Sequence, residues 1–132
     1  MARTEFKQLL DAKGAQIIQP EVIHCGGITE IRKIAALGEA YGVEIAPHMY
    51  YGPVAHVASL HAMASVRSFL MQEWDAAMEA QFTSLTRGSF PLAAHGHVTL
   101  SDRPGLGIEM NWDEWQRSFP YQSQSLRPPG GR

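Results

Sequence analysis

Short apolar segments alternate along the chain with longer segments in which apolar residues recur at helical spacing. The short segments begin near residues 16, 44 and 69, and the first two end at a proline, which cannot donate to a sheet ladder. A strand–helix alternation that repeats every 25–30 residues or so predicts parallel βαβ units with right-handed crossovers. The pattern therefore indicates an α/β fold with about three parallel strands.

The helical segments carry start and stop signals at their ends. Helices are predicted at residues 4–13, 28–41 and 53–65. Gly14 and Gly42 are placed to end the first two helices, because glycine favours the position after a helix. Pro53 is placed to begin the third, because proline suits the first helical position.

The strand–helix rhythm stops after the predicted third strand at residues 69–74. Four weaker elements follow, namely an irregular stretch or short helix at 75–96, a short strand at 97–100, a tight turn at 104–107 and a helical turn at 113–117. The last residues are poor in core-forming side chains. We therefore expect one domain over residues 1–118 and a disordered tail over residues 119–132.

Composition excludes several classes of function. The chain has 132 residues, 45% of them hydrophobic, and a formal charge of -2, which gives no electrostatic footprint for nucleic acid or an anionic membrane. No apolar run approaches the roughly 20 residues that span a bilayer. Cys25 is the only cysteine, which fits a reducing compartment. A cytoplasmic protein of one domain, without nucleic acid or membrane as partner, is expected.

Polar side chains stand where the predicted strands end. His48 follows Ala46-Pro47, Glu21 follows Pro20, and Glu73 closes the third strand. In α/β folds the carboxyl ends of parallel strands share the edge at which binding and catalytic groups collect. An imidazole there can exchange protons near neutral pH, so His48 is the first candidate for chemistry. The alternative is a loop histidine hydrogen-bonded for structure.

An ordered set of motifs resembles the enolase superfamily, in its mandelate racemase and muconate lactonizing enzyme branch. The motifs are Gln19-Pro20-Glu21, Cys25-Gly26-Gly27-Ile28-Thr29-Glu30, Ala46-Pro47-His48, Gly52-Pro53, Glu73-Trp74 and Pro104-Gly105-Leu106-Gly107. The similarity is greatest to sugar-acid dehydratases of the galactonate type, and it covers residues 5–115. It implies the last part of a TIM-like (β/α)7β barrel, with the sixth to eighth strands and a C-terminal segment.

The resemblance also implies roles for the strand-end residues. His48 matches the general acid/base, and Glu73 matches a glutamate that binds the substrate carboxylate or its enediolate. Glu21 stands where the family usually has aspartate as the partner of the histidine, and its extra methylene puts the family geometry in doubt. The alternatives are a solvated loop carboxylate for Glu21 and an ordinary ion pair for Glu73. Met49, Tyr50 and Tyr51 either line a substrate pocket or cover the core.

Other candidate sites are weak. His56 and His61 lie on different faces of one helix, and His95 and His97 lack further ligands at a recognised spacing, so structural or exposed histidines are expected. We interpret the pair Gly26-Gly27 as a tight loop rather than a phosphate site, and Cys25 as a packed thiol. The family binds Mg²⁺ through carboxylates on strands that this chain lacks, so no metal ligand is expected here.

Two functional hypotheses remain. The first is a C-terminal fragment of a Mg²⁺-dependent enzyme that abstracts a proton α to the carboxylate of a small molecule, as a sugar-acid dehydratase or racemase, and that is inactive alone. The second is a non-catalytic module that self-associates, or an incomplete gene product. Three parallel strands leave two unpaired edges, so we expect either a homo-oligomer or a missing N-terminal portion.

Overall fold

The computed structural model describes residues 2–120. The helices are α1 (Arg3–Asp11), α2 (Val22–Cys25), α3 (Ile28–Ala40), α4 (Pro53–Met63), α5 (Glu79–Leu85) and α6 (Trp112–Ser118), with a 3-10 turn at Ala76–Met78. The strands are β1 (Ile17–Ile18), β2 (Glu44–Ile45), β3 (Ala93–Ala94) and β4 (His97–Val98). The predicted tail at residues 119–132 falls almost entirely outside the described residues.

Three parallel segments form the centre of the fold. β1 pairs with β2 in parallel, with Ile18 opposite Ile45, and Phe69 forms a parallel bridge to Ile45 on the other side of β2. The connections between them run through α2 and α3 and then through α4. The predicted α/β fold with parallel βαβ units is confirmed, and the segments form an open piece of a barrel.

The predicted third strand at residues 69–74 is wrong in its length, because pairing stops after one bridge. Ile45 donates its N–H to the Ser68 carbonyl at 2.8 Å and accepts from the Leu70 N–H at 2.9 Å. In a parallel ladder, alternate residues bond to the same neighbour, so the next donor toward this segment would be residue 47. Pro47 has no N–H, and the ladder ends there.

The core lies where α1, α3 and α4 cover the parallel segments. Its fully buried apolar side chains include Leu10, Ile31, Ile34, Ile45, Met49 and Met63. Gly38 of α3 lies against the sheet, since a Cβ atom there would be 2.8 Å from Ile45 Cδ1. Of the helices within residues 2–120, none is long and apolar enough to cross a membrane.

The ends of the first helix differ from the prediction. α1 ends at Asp11, before Gly14 is reached. Lys13 takes the left-handed conformation with φ of 52°, and the Gly14 N–H donates to the Leu9 carbonyl at 2.9 Å. The chain therefore reverses at Lys13, one residue before the glycine that predicted the stop.

The glycine pair and Cys25 are as predicted. Gly26 and Gly27 have φ of 109° and 90°, which allows α2 to turn directly into α3. Cys25 is buried in the core, and burial raises the pKa of its thiol. The interpretation as a tight loop with a packed thiol is confirmed.

The C-terminal part contains more structure than predicted. Residues 75–96 hold a 3-10 turn, α5 and β3. β3 pairs with β4 as an antiparallel hairpin, so the strand predicted from His97 has a partner that the sequence pattern did not reveal. α6 matches the predicted helical turn.

Candidate active site

The three predicted strand-end residues follow parallel segments at one edge of the fold. Glu21 comes after β1, His48 after β2 and Glu73 after the segment bridged at Phe69. The His48 main chain is fixed by its own N–H, which donates to the Pro20 carbonyl at 3.2 Å. Parallel register thus brings the three positions to the same side, as their sequence positions predicted.

His48 and Glu73 form the central pair of this edge. His48 Nε2 lies 4.0 Å from Glu73 Oε2, and the two side chains are 44% and 45% exposed. Glu73 Oε2 also accepts a hydrogen bond from the Met49 N–H at 2.6 Å, which holds the carboxylate in place. A proton-exchanging imidazole beside a fixed carboxylate, both open to a ligand, can perform acid/base chemistry.

Glu21 is held in another way. It is only 6% exposed, and its two oxygens accept from the N–H groups of Ile23 and His24 at 3.0 and 2.9 Å. These bonds satisfy the first turn of α2, so Glu21 is its N-cap. The alternative of a solvated loop carboxylate is wrong. The carboxylate that lies beside the His48 ring is that of Glu73. The orienting role of Glu21 stays a prediction.

Sequence reasoning missed His24. Its Nε2 atom lies 2.5 Å from the hydroxyl of Tyr51 and 3.7 Å from Glu21 Oε2. Tyr51 in turn lies between His24 and His48, with ring centroids 5.1 Å and 6.3 Å away. The only local signal was the i, i+3 spacing of Glu21 and His24, because Tyr51 is distant in sequence.

The residues after His48 divide into two groups. The Met49 side chain is buried in the core, and the Met49 N–H donates to Glu73 Oε2. Tyr50 is largely exposed and Tyr51 is 36% exposed at the mouth of the site. Contacts of Met49, Tyr50 and Tyr51 with a substrate stay predictions.

His56 lies behind this edge in an aromatic cluster. It is 3% exposed and packs edge-on against Trp74 at 4.6 Å, and its Nε2 atom has no hydrogen-bond partner among residues 2–120. Burial lowers its pKa from 6.5 to about 4, with the Glu73 charge opposing the shift, so the ring is neutral near pH 7.

The other histidines away from the site fit the structural or exposed interpretation. His61 Nε2 lies 3.2 Å from the Leu106 carbonyl oxygen. His95 and His97 are exposed on the β3–β4 hairpin. Within the part of the chain that the structure describes, no group of three or more His, Cys, Asp or Glu side chains could hold a metal ion. The described residues by themselves therefore do not fit a Mg²⁺ site.

Known proteins match this chain along most of its length. The family described as Enolase C-terminal domain-like matches residues 1–115. D-galactonate dehydratase of Pectobacterium atrosepticum is 38% identical over 116 residues, which are 83% of this chain and 30% of that protein. D-galactonate dehydratase of Xanthomonas campestris pv. campestris is 36% identical over 123 residues, which are 89% and 32%.

Solved structures show the same relationship. The mandelate racemase/muconate lactonizing enzyme from Jannaschia sp. CCS1 has a TM-score of 0.79 and 36% identity, over 100% of this chain and 31% of that one. An enolase from Pantoea ananatis, solved with D-gluconate and Mg, has a TM-score of 0.78 and 30% identity, over 86% and 28%. The chain therefore spans about a third of the length of these relatives, and it belongs to the Enolase C-terminal domain-like family, as the C-terminal portion of an enolase-superfamily fold.

Proposed function

We propose that this chain supplies the acid/base side of the active site of an enzyme that removes the proton α to the carboxylate of a sugar acid. The observation that carries the proposal is the exposed His48 imidazole at the parallel strand edge, 4.0 Å from the fixed carboxylate of Glu73. The two D-galactonate dehydratases among the relatives favour an aldonic acid as substrate and dehydration as the reaction.

In this reaction His48 moves the proton. Its neutral imidazole accepts the α-proton, and the C–H electron pair passes into the enediolate of the substrate carboxylate. Alternatively, when the stereochemistry of the substrate places the β-hydroxyl near His48, the protonated ring gives its proton to the departing hydroxyl, which leaves as water. The substrate decides which of these two steps falls to His48.

Glu73 binds the substrate. Its Oε2 atom accepts the Met49 N–H, so a proton on Oε1 would be free to donate to an oxygen of the substrate carboxylate. In the protonated form Glu73 can donate a hydrogen bond to an enediolate oxygen, as neutral carboxylic acids do in other enolising sites. In this proposal His48 transfers the proton and Glu73 binds the substrate.

Mg²⁺ belongs to the proposal for the complete enzyme. A bound divalent cation stabilises the negative charge of an enediolate. The described residues provide no group of ligands for it, so the cation would be held by residues outside this portion of the fold. We propose that the chain is inactive alone.

A chimera tests the proposal. The matching C-terminal portion of the Pectobacterium atrosepticum D-galactonate dehydratase is replaced by this chain, and formation of the keto acid from D-galactonate is measured with Mg²⁺. We expect activity in the chimera and none in this chain alone or in the shortened relative. A folded chimera without activity would contradict the proposal.

Self-association is the second candidate, favoured by the apolar surface of the chain. Ile17 of β1 and Phe69 beyond β2 are exposed at the two edges of the parallel segments. In addition, a groove of about 740 Å³ between α2, α3, α4 and α6 is lined by Ile23, Val54 and Trp112. Light scattering after size-exclusion chromatography decides this candidate, because a stable monomer of 14.6 kDa would contradict it.

A further inference from the structure

We infer that His24 is a positioning residue that fixes the direction of the Tyr51 hydroxyl, so that Tyr51 accepts a hydrogen bond from a hydroxyl group of a polyhydroxy acid. The inference rests on the proposed function for its substrate class. Its geometric part depends only on contacts within this chain. It adds a residue of α2, the helix that follows β1, to the edge formed by His48 and Glu73.

The cap of α2 fixes the backbone of His24. Glu21 is nearly buried, and its Oε2 atom accepts the His24 N–H at 2.9 Å. The same oxygen lies 3.7 Å from His24 Nε2, too far for a hydrogen bond, so the ring tip is held by its contact with Tyr51.

The contact with Tyr51 joins α2 to the loop after β2. His24 Nε2 and the Tyr51 hydroxyl oxygen are 2.5 Å apart, and the rings meet edge-on at 77°. Tyr51 also stands edge-on to the His48 ring at 6.3 Å, so the phenol lies on the side of the proposed acid/base. Tyr51 is 36% exposed, so a ligand beside His48 can reach it.

The direction of this hydrogen bond decides what Tyr51 offers to a ligand. A neutral His24 ring with its proton on Nδ1 presents a lone pair at Nε2, so the phenol must donate to it. The phenol oxygen then has only acceptor capacity left. It can accept a hydrogen bond from the O–H of a sugar-acid hydroxyl, and it forms no such bond with an acid that lacks that hydroxyl.

The first test is the tautomer of His24 in this chain. With the ring neutral, ¹⁵N NMR should show the proton on Nδ1, and Tyr51→Phe should move His24 to the Nε2–H form. Tyr50→Phe is the matched control, since Tyr50 is an adjacent exposed tyrosine. An Nε2–H tautomer in the unmodified chain, or no change with Tyr51→Phe, would overturn the inference.

The second test uses the chimera described above. Tyr51→Phe should raise KM for D-galactonate by about fivefold to tenfold, as expected for one hydrogen bond, with a smaller change in kcat. His24→Phe should have the same effect, and the double variant should be no worse than either single one. Tyr41→Phe is the control for KM, because the Tyr41 hydroxyl donates to Asp11 ahead of β2. Equal KM values for Tyr51→Phe and Tyr41→Phe in an active chimera would overturn the substrate part. An inactive chimera would contradict the proposed function instead, and the tautomer measurement would still decide the role of His24.

Discussion

Glu73 Oε2 lies 4.0 Å from His48 Nε2, across the carboxyl ends of two neighbouring parallel segments. The carboxylate is held by the Met49 N–H at 2.6 Å, one residue beyond His48. The main chain beside His48 therefore sets the position of the Glu73 carboxylate. This arrangement makes the acid/base edge a property of the fold.

The Glu73–Met49 bond predicts a measurable coupling. Glu73→Ala should lower the free energy of unfolding by about 1 kcal/mol, at the modest end for a bond to a charged group because Glu73 is half exposed. Amide hydrogen exchange at Met49 should accelerate. Glu44→Ala, at an exposed position in β2, is the control. Unchanged exchange at Met49 would contradict the assigned bond.

The cap formed by Glu21 predicts a larger effect. Glu21→Ala should lower the free energy of unfolding by about 2 kcal/mol, because two N–H groups at the start of α2 lose their acceptor. Exchange at Ile23 and His24 should speed up. Glu21→Gln should retain part of the cap through its carbonyl oxygen. If Glu21→Ala unfolds at the same urea concentration as the unmodified chain, the cap contributes nothing.

Close approach of α3 to the sheet makes Gly38 sensitive to substitution. In Gly38→Ala the new Cβ would lie 2.8 Å from Ile45 Cδ1 and 3.3 Å from Ile18 Cδ1, both in the buried core. We expect a net loss of about 1–2 kcal/mol in the free energy of unfolding, although alanine favours a helix by about 1 kcal/mol. Ala36→Gly, at an exposed site of α3, calibrates that propensity in urea denaturation. A stabilised Gly38→Ala would show that the contact is looser.

His56 predicts a pH dependence of stability. Its pKa is about 4 in the folded chain against 6.5 for the ordinary group, so the unfolded state binds more protons between these values. Stability should therefore fall as the pH drops from about 6.5 to 4, by roughly 3 kcal/mol from this group. The negative charge of Glu73 raises the pKa of His56 and so opposes the lowering caused by burial.

The His56→Leu variant isolates this term. The difference in free energy of unfolding between the unmodified chain and His56→Leu should depend on pH in that window and be flat above it. His97→Asn, on the exposed hairpin, should leave the pH profile unchanged. Parallel profiles for the unmodified chain and His56→Leu would contradict a buried neutral imidazole.

Much of the parallel framework could be predicted because its signals are local. Pro20 and Pro47 marked where the strands end, and Pro53 marked the start of α4. Together with the apolar pattern at residues 69–74, those signals predicted Glu21, His48 and Glu73 at one edge. The spacing of apolar residues in α3 and α4 sufficed to identify the crossover helices.

The missed features depend on contacts between distant residues. α2 has four residues, and its first turn is completed by the Glu21 side chain. The Pro47 effect on the third strand required knowledge of which N–H groups face which neighbour. The His24–Tyr51 contact joins residues 27 positions apart and has no periodicity. Such features follow from tertiary structure and not from a local pattern.

The most direct test of the account is the effect of His48→Asn on D-galactonate dehydration by the chimera. General acid/base catalysis contributes about 10²–10⁴-fold, so we predict a loss of kcat in that range, with folding retained and His97→Asn fully active. A chimera in which His48→Asn dehydrates D-galactonate as fast as His97→Asn would contradict the assignment of His48 as the proton-transferring residue.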